Sequence, residues 1–292
     1  MYNTIQQIVT NNPLIRIKES EFKGETLYVC KYSRKVFYNN LWDSILVEAR
    51  GLVLDRFYNI VAYPFTKIFN YGIEANAPKF RADEQVTAIR KVNGFMVAMT
   101  NFKGKLLVST TGTIDSKYVA MARELISKEL QDYILSTQEI TFMFECVHRD
   151  DPHIIPEYEG LYYLGQRYNG LQSYITTTNK AMASLKGVSI PEQLHCSFQE
   201  VLDAVKTCKH EGYVVYNIGA DGNQKVTKIK SPYYLMSKAI ARASGDKLSR
   251  LRVDEEFHPL LKQISQDETF VNLTEQERLE YIRKYYENMG YQ

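Results

Sequence analysis

The sequence predicts an α+β protein, with a core of antiparallel sheets flanked by helices and a small all-helical C-terminal part. Three observations predict it. Short alternating or apolar runs recur from residue 14 to residue 230 with turn residues between them, which is the texture of strands. The stretch 114–135 spaces its apolar residues at helical intervals, and a capping-box pattern at Ser197–Glu200 opens a helix through about Cys208. From Ser231 onward the texture is helical, and no strand-rich, glycine-punctuated segment follows. The expected division is a mixed domain over 1–235 and a helical domain over 236–292.

At 292 residues the chain is long enough to bury a sizeable core, and 45% hydrophobic with 24% charged residues is ordinary for a water-soluble fold. A net charge of only +2 means that nucleic-acid binding would need a local patch rather than bulk charge. Twenty-two tyrosines against one tryptophan suit strands, where an aromatic ring packs on the pleated surface. The four cysteines, Cys30, Cys146, Cys196 and Cys208, show no C-x-x-C spacing. With no apolar leader visible they read as reduced thiols of a cytoplasmic protein. No apolar run approaches the roughly 20 residues of a membrane span, so no membrane partner is expected.

In chain order, the first residues, 1–9, read as a short amphipathic helix ended by Asn11-Asn12-Pro13. Residues 14–18 and 26–32 alternate as strands do, and Glu48-Ala49-Arg50-Gly51-Leu52-Val53-Leu54-Asp55 is an apolar strand entered through a charged Arg-Gly step. Lys67 and Phe69 stand in a proline-bearing aromatic segment over 62–71. Residues 85–90 and 95–101 are strands on either side of Lys91-Val92-Asn93-Gly94. There a lysine at a strand end lies three residues before a glycine that lets backbone approach a ligand, which suits a covalent nucleophile. Residues 106–110 give another strand and 114–135 one long helix. The run Ile140-Thr-Phe-Met-Phe-Glu145-Cys-Val147 is a buried strand whose carboxylate needs a cationic, metal or hydrogen-bonding partner. Residues 161–166 read as a strand ending near Arg167. Ser197 to Glu200 is a capping box, and Glu211-Gly212-Tyr213 opens a further strand. A turn over 219–223 leads to Lys228-Ile229-Lys230, where strand alternation puts both lysines on one face and the isoleucine in the core. Two like charges side by side suggest an anion between them. Thr274 to Glu277 is a second capping box. The tail is basic over 231–252 (Lys238, Arg242, Lys247, Arg250 and Arg252) and acidic beyond. This makes Lys238 and Arg242 candidates for holding phosphates, with the acidic helices beyond them as a cap.

Taken together, Arg50, Lys67, Lys91, Glu145, Glu211, Lys228 and Lys230 supply cations for phosphates, carboxylates for Mg²⁺ or ribose hydroxyls, and Phe69 as a ring for a base. Arg50-Gly51, Lys91-Val-Asn-Gly94, Phe144-Glu145, Glu211-Gly212-Tyr213 and Lys228-Ile229-Lys230 resemble, in order and spacing, the motifs of covalent nucleotidyltransferases. These include RNA ligases, DNA ligases and mRNA-capping enzymes. Glu48 to Asp55, Pro64 to Asn70, and Lys228 to Ser231 with Tyr234 narrow the resemblance to the phage RNA ligase 1 family, which includes the ligase domain of fungal tRNA ligases. It covers roughly residues 40 to 240.

The resemblance implies a nucleotidyltransferase core of ATP-grasp-like character and a bacteriophage-type enzyme using ATP with Mg²⁺ or Mn²⁺. Lys91 would attack the α-phosphorus of ATP to form lysyl-AMP and release pyrophosphate. AMP would pass to an RNA 5′-phosphate, and an RNA 3′-hydroxyl would displace it. Lys67 and Phe69 would sit at the nucleotide, with Phe69 stacked on adenine and Arg50 on the sugar or phosphate of the RNA end. Glu145 would serve ribose or metal, Glu211 the metal or the surroundings of Lys91, and Lys228 with Lys230 the phosphates. The implied partner is RNA with 5′-phosphate and 3′-hydroxyl ends, cleaved tRNA among them, handled by a monomer.

Two departures from the family pattern stand beside the nucleophile: Asn93 where Asp is usual, and Phe95 where Ser is usual. An amide at 93 does not favour the charged ammonium as a carboxylate would. Lys228 and Lys230 would press Lys91 further toward the reactive amine, so Asn93 is expected to be tolerated. Thr111 stands where relatives place Lys before the glycine at 112, which removes one phosphate or RNA contact.

Other readings fare worse. His148-Arg149-Asp150 suggests a kinase loop, but Ile155 occupies the metal-binding Asn position and there is no D-F-G. No P-loop exists. His148, Asp150 and His153 read better as a polar loop than as a metal cluster. A DNA ligase or capping guanylyltransferase is disfavoured by the helical tail, and a non-catalytic RNA-binding scaffold by the intact charged set.

Overall fold

The computed structural model describes residues 12–170, 175–218, 223–243, 248, 251 and 257–288. The helix expected over 1–9, most of the turn over 219–223, and Lys247, Arg250 and Arg252 lie outside the described residues. By internal packing the chain forms two compact units. The first takes Met1–Phe69, Phe95–His148 and Glu159–Pro191, and the second takes Asn70–Gly94, Arg149–Tyr158 and Glu192–Gln292.

The first unit begins with β1 (Ile15–Phe22), β2 (Glu25–Tyr32), β3 (Arg50–Asp55) and β4 (Ile60–Ala62), a four-stranded antiparallel sheet in chain order. A five-residue helix, α1 (Arg34–Tyr38), separates β2 from β3. The sheet packs apolar residues on both faces. Cys30, Leu52 and Leu54 pack with Val36 and Tyr63, while Leu27, Val29 and Val53 pack with Leu107 and Ile114. A second sheet is ordered β11-β10-β9-β7-β8, from β7 (Phe95–Phe102), β8 (Lys105–Ser109), β9 (Ile140–Val147), β10 (Gly160–Tyr168) and β11 (Val188–Ser189). The continuous apolar run on β9 reflects burial of both its faces, with Phe142, Phe144 and Cys146 in a core with Val119 and Leu130 and Met143 buried on the opposite face.

The single helix expected over 114–135 is two helices, α2 (Lys117–Leu125) and α3 (Lys128–Leu135). Ile126 is extended, and the Ser127 side chain accepts from the Leu130 amide, so a new helix is capped where apolar spacing alone would continue the old one. Helix α4 (Lys180–Ser184), capped by Asn179, was not legible in the apolar spacing.

The chain passes from the first unit to the second within β5 (Phe69–Asn70), and the second unit holds β6 (Gln85–Arg90), β12 (Gln193–Ser197), β13 (Gly212–Ile218) and β14 (Gln224–Lys230), in the order β12-β6-β13-β14. Helix α5 (Phe198–Thr207) opens with the expected capping box of Ser197 and Glu200, and lays Phe198, Val201 and Val205 on Val86, Ala88 and Val215. Helices α6 (Pro232–Arg242), α7 (His258–Ser265) and α8 (Glu275–Asn288) share a core of Tyr233, Ile240, Leu260, Phe270 and Ile282 with Ile154 and Ile155. The residues after 235 thus belong to the same compact unit as β6, β13 and β14. No helix among the described residues is long and apolar enough to cross a membrane.

Candidate active site

Lys91 directly follows β6, and its position is fixed by backbone. Its amide donates to the Gly212 carbonyl at 2.8 Å, just where β13 pairs with β6. Gly212 has φ +126°, and a Cβ there would stand 2.0 Å from the Ile229 carbonyl oxygen, so only glycine fits against β14. That close approach brings β6, β13 and β14 to one point and aims three side chains together. Lys91 Nζ lies 3.0 Å from Glu211 Oε2, and Lys230 Nζ 3.2 Å from Glu211 Oε1. Lys228 stands two residues before Lys230 on the same strand face, with Ile229 buried between them as alternation requires.

Asn93 completes the centre. Its side chain is buried, donates from Nδ2 to Glu211 Oε2 at 2.6 Å, and accepts from the Ile155 amide at 3.3 Å. Burial alone would raise the Glu211 carboxyl. The ammonium groups of Lys91 and Lys230, with the hydrogen bonds from Asn93 and Lys91, outweigh it and hold the group below its ordinary value. The carboxylate missing at position 93 therefore faces Lys91 from Glu211 instead, and it favours the charged ammonium. Asn93 bears on Lys91 as the donor that orients Glu211.

Sequence reasoning passed over Glu157. Its two oxygens accept from Arg90 Nη2, at 3.0 and 2.9 Å, and one of them also accepts from the Asn93 amide at 3.3 Å. Burial raises the Glu157 carboxyl above its usual value against the pull of Arg90. It lies in a stretch, 149–158, whose polar sequence reads as an ordinary loop, and only folding puts it beside the Lys91 turn.

The other predicted site residues belong to the first unit. Arg50 opens β3 half-buried, and Gly51 behind it has φ +89° with its would-be Cβ 2.9 Å from the Thr111 Cα. The Arg-Gly step is thus a glycine forced by the neighbouring turn. Lys67 is buried among rings, its Nζ 4.8 Å from the centroid of Phe69, 5.3 Å from Trp42 and 5.7 Å from Phe37. Phe69 is itself buried, with Trp42 edge-on at 5.4 Å. Arg167, buried and missed as a functional residue, fastens the segment that carries Lys67. Its guanidinium donates to the Pro64 carbonyl at 3.0 Å and to Thr66 Oγ1 at 3.2 Å, and lies 3.5 Å over the Tyr63 ring. Glu145 is buried on β9 between Met96 of β7 and Tyr162 of β10. At the Thr111 departure a cation does stand by the turn, but it comes from β2: Lys31 Nζ lies 3.3 Å from where a Cβ on Gly112 would be.

Glu211 does not suit a resident divalent ion, since each oxygen already faces an ammonium group. Among the described residues no cluster of three His, Cys, Asp or Glu side chains could hold one. Among the described residues His148 pairs with Glu124, and His153 with Asp151.

Mixed sheets with flanking helices, bearing a lysine at a strand end held to a buried glutamate, match the fold expected of a ligase-type nucleotidyltransferase. Comparison with known proteins narrows the class. Residues 48–238 match the family model for RNA ligases of the T4 type 1 kind. The chain belongs to this family of RNA ligases. Among solved structures it is similar to an archaeal ATP-dependent RNA ligase in form 2, with a TM-score of 0.58 and 14% identity over 98% of this chain and 76% of that one. Form 1 gives a TM-score of 0.54 and 16% identity over 92% and 73%. A chain assigned as an ATP-dependent DNA ligase from Aquifex aeolicus gives 0.54 and 13% over 99% and 80%. At these identities the likeness is one of fold. No curated protein sequence matches the chain.

Proposed function

We propose that this ligase joins RNA 5′-phosphate and 3′-hydroxyl ends through lysyl-AMP and RNA-adenylate intermediates, in the repair of broken RNA such as cleaved tRNA. The observation that carries this is the Lys91–Glu211–Lys230 centre. Lys91 is the nucleophile. As an ammonium beside Glu211 it is at rest; it must lose its proton before its lone pair attacks the α-phosphorus of ATP and pyrophosphate leaves. Lys230 and Lys228 are the cations that meet the charge building on the departing phosphates. An Lys230 drawn to the triphosphate loosens its hold on Glu211, which frees that carboxylate to take the Lys91 proton.

Lys67 and Phe69 serve the adenosine end, Arg50 the RNA end, and Glu145 the ribose hydroxyls. Phe69, packed edge-on by Trp42, offers a base one restrained ring. The divalent ion, Mg²⁺ or Mn²⁺, enters as part of the ATP substrate, neutralising phosphate charge. Four free cysteines fit work in a reducing cytoplasm, with the Cys30 thiol pushed up to about 12 by burial and so unreactive. The enzyme acts as a monomer.

The test is incubation with α-labelled ATP and Mg²⁺ followed by denaturing electrophoresis. A labelled protein band is expected, absent in Lys91→Ala and discharged by 5′-phosphorylated RNA. No band with any divalent ion would overturn the proposal, and a band from GTP instead of ATP would turn it toward capping chemistry.

A further inference from the structure

The strongest feature left unused by the lysine–glutamate centre is a row of cations across the first sheet. Antiparallel register sets Arg16 of β1 directly opposite Lys31 of β2, and Lys31 opposite Arg50 of β3. Directly paired residues share a face, so three like charges stand side by side across three strands, which is repulsive unless an anion lies on them. Among the described residues none of Arg16, Lys31, Arg34 or Arg50 makes an ion pair.

Lys31 shows the strain of this arrangement. Its residue is exposed overall, yet its ammonium end lies over Gly112. That partial burial, then Arg50, Arg16 and Arg34, hold it below the ordinary lysine value. The turn beneath is braced: the Thr110 amide donates to the Thr113 carbonyl at 2.9 Å, and Lys18 donates to Thr113 Oγ1 at 2.7 Å. At a strand spacing of about 4.8 Å the row spans about 10 Å, too long for one phosphate to satisfy.

The chain leaving Lys31 enters α1, which carries Arg34, Lys35 and two exposed rings, Phe37 at 50% and Tyr38 at 75% exposure. Exposed rings beside unpaired cations are the combination by which proteins hold a single strand, bases on the rings and backbone on the charges. Phe37 also lies under the Lys67 ammonium, so the platform adjoins the residue assigned to the nucleotide.

We infer that Arg16, Lys31, Arg34 and Arg50, with the rings of α1, form a docking surface for a single-stranded RNA segment. That the strand is RNA rests on the proposed function; the site itself rests on the cation row and the rings. The surface engages successive phosphates of one strand and stacks at least one base on Tyr38.

The test is equilibrium binding of a fluorescent single-stranded RNA oligonucleotide, without ATP, across a series of NaCl concentrations. Removing one cation that neutralises a phosphate should reduce the slope of log affinity against log salt by about 0.7. The triple variant Arg16→Ala/Lys31→Ala/Arg34→Ala should therefore flatten the slope by about 2 and weaken binding at least tenfold at low salt. Tyr38→Ala should weaken binding about tenfold with the slope unchanged. Because the row is repulsive without its anion, the triple variant should melt no lower than the native protein, which separates impaired binding from impaired folding. An unchanged slope, no measurable binding by the native protein, or equal competition by duplex RNA would overturn the inference. The readout needs no lysyl-AMP, so failure of the nucleotidyl-transfer proposal would appear separately, as a missing ATP adduct.

Discussion

Replacing Glu211 by Gln keeps the shape of the side chain and removes the charge on which two lysines converge. At 3.0 and 3.2 Å, with an effective dielectric constant of about 20, each ammonium gains about 5 kcal/mol of attraction before desolvation is subtracted. Breaking a buried pair by removing one partner typically costs about 3 to 5 kcal/mol. Both lysine side chains here retain about a fifth of their exposure and can turn toward water, which argues for the lower end. The carboxamide has a second defect. It can offer its one oxygen to Asn93 and Lys91 or to Lys230, and its NH₂ then faces the other ammonium. We expect Glu211→Gln to lose about 3 kcal/mol at pH 7 by urea unfolding. The pH dependence fixes the cause. The Glu211 carboxyl is held below its ordinary value, so its stabilisation is present above the unfolded value near 4.3 and is lost as pH falls through the lower, folded value. The gap between native and variant should be full at pH 7 and shrink as pH falls below about 4. A variant as stable as the native protein at pH 7, or a gap unchanged in acid, would refute the account of this centre.

Two further substitutions probe the same geometry. Asn93→Asp keeps an oxygen for the Ile155 amide but removes the donor to Glu211 and sets carboxylate against carboxylate; it should cost about 1–3 kcal/mol at neutral pH and progressively less toward pH 5 in urea unfolding. Gly212→Ala must push β14 away from a Cβ standing 2.0 Å from the Ile229 carbonyl oxygen at a strained φ, so it should cost about 4 kcal/mol or more and abolish ATP-adduct formation.

Much of the fold was legible because its signals are local. The Ser197–Glu200 and Thr274–Glu277 capping boxes form as their spacing implies, with the Thr274 amide donating to Glu277 at 2.7 Å. Lys228-Ile229-Lys230 alternates as a strand must. The break at Ser127 was hidden because helical apolar spacing continues across it, and only the cap reveals the end.

For the site, the sequence by itself determined which residues carry charge into apolar strands, and their order placed the chain among RNA ligases. It could not determine what each charge meets. Glu211 meets both Lys91 and Lys230 because Gly212 lets β14 close on β13, an approach between residues distant in the chain. Asn93, a departure when read along the sequence, is in space the donor that orients that carboxylate. Arg16, Lys31 and Arg50 come from three separate strands and become a row only through antiparallel register. Local spacing fixes the element on which a side chain sits, and strand pairing decides its neighbours, which set its charge state and its chemistry.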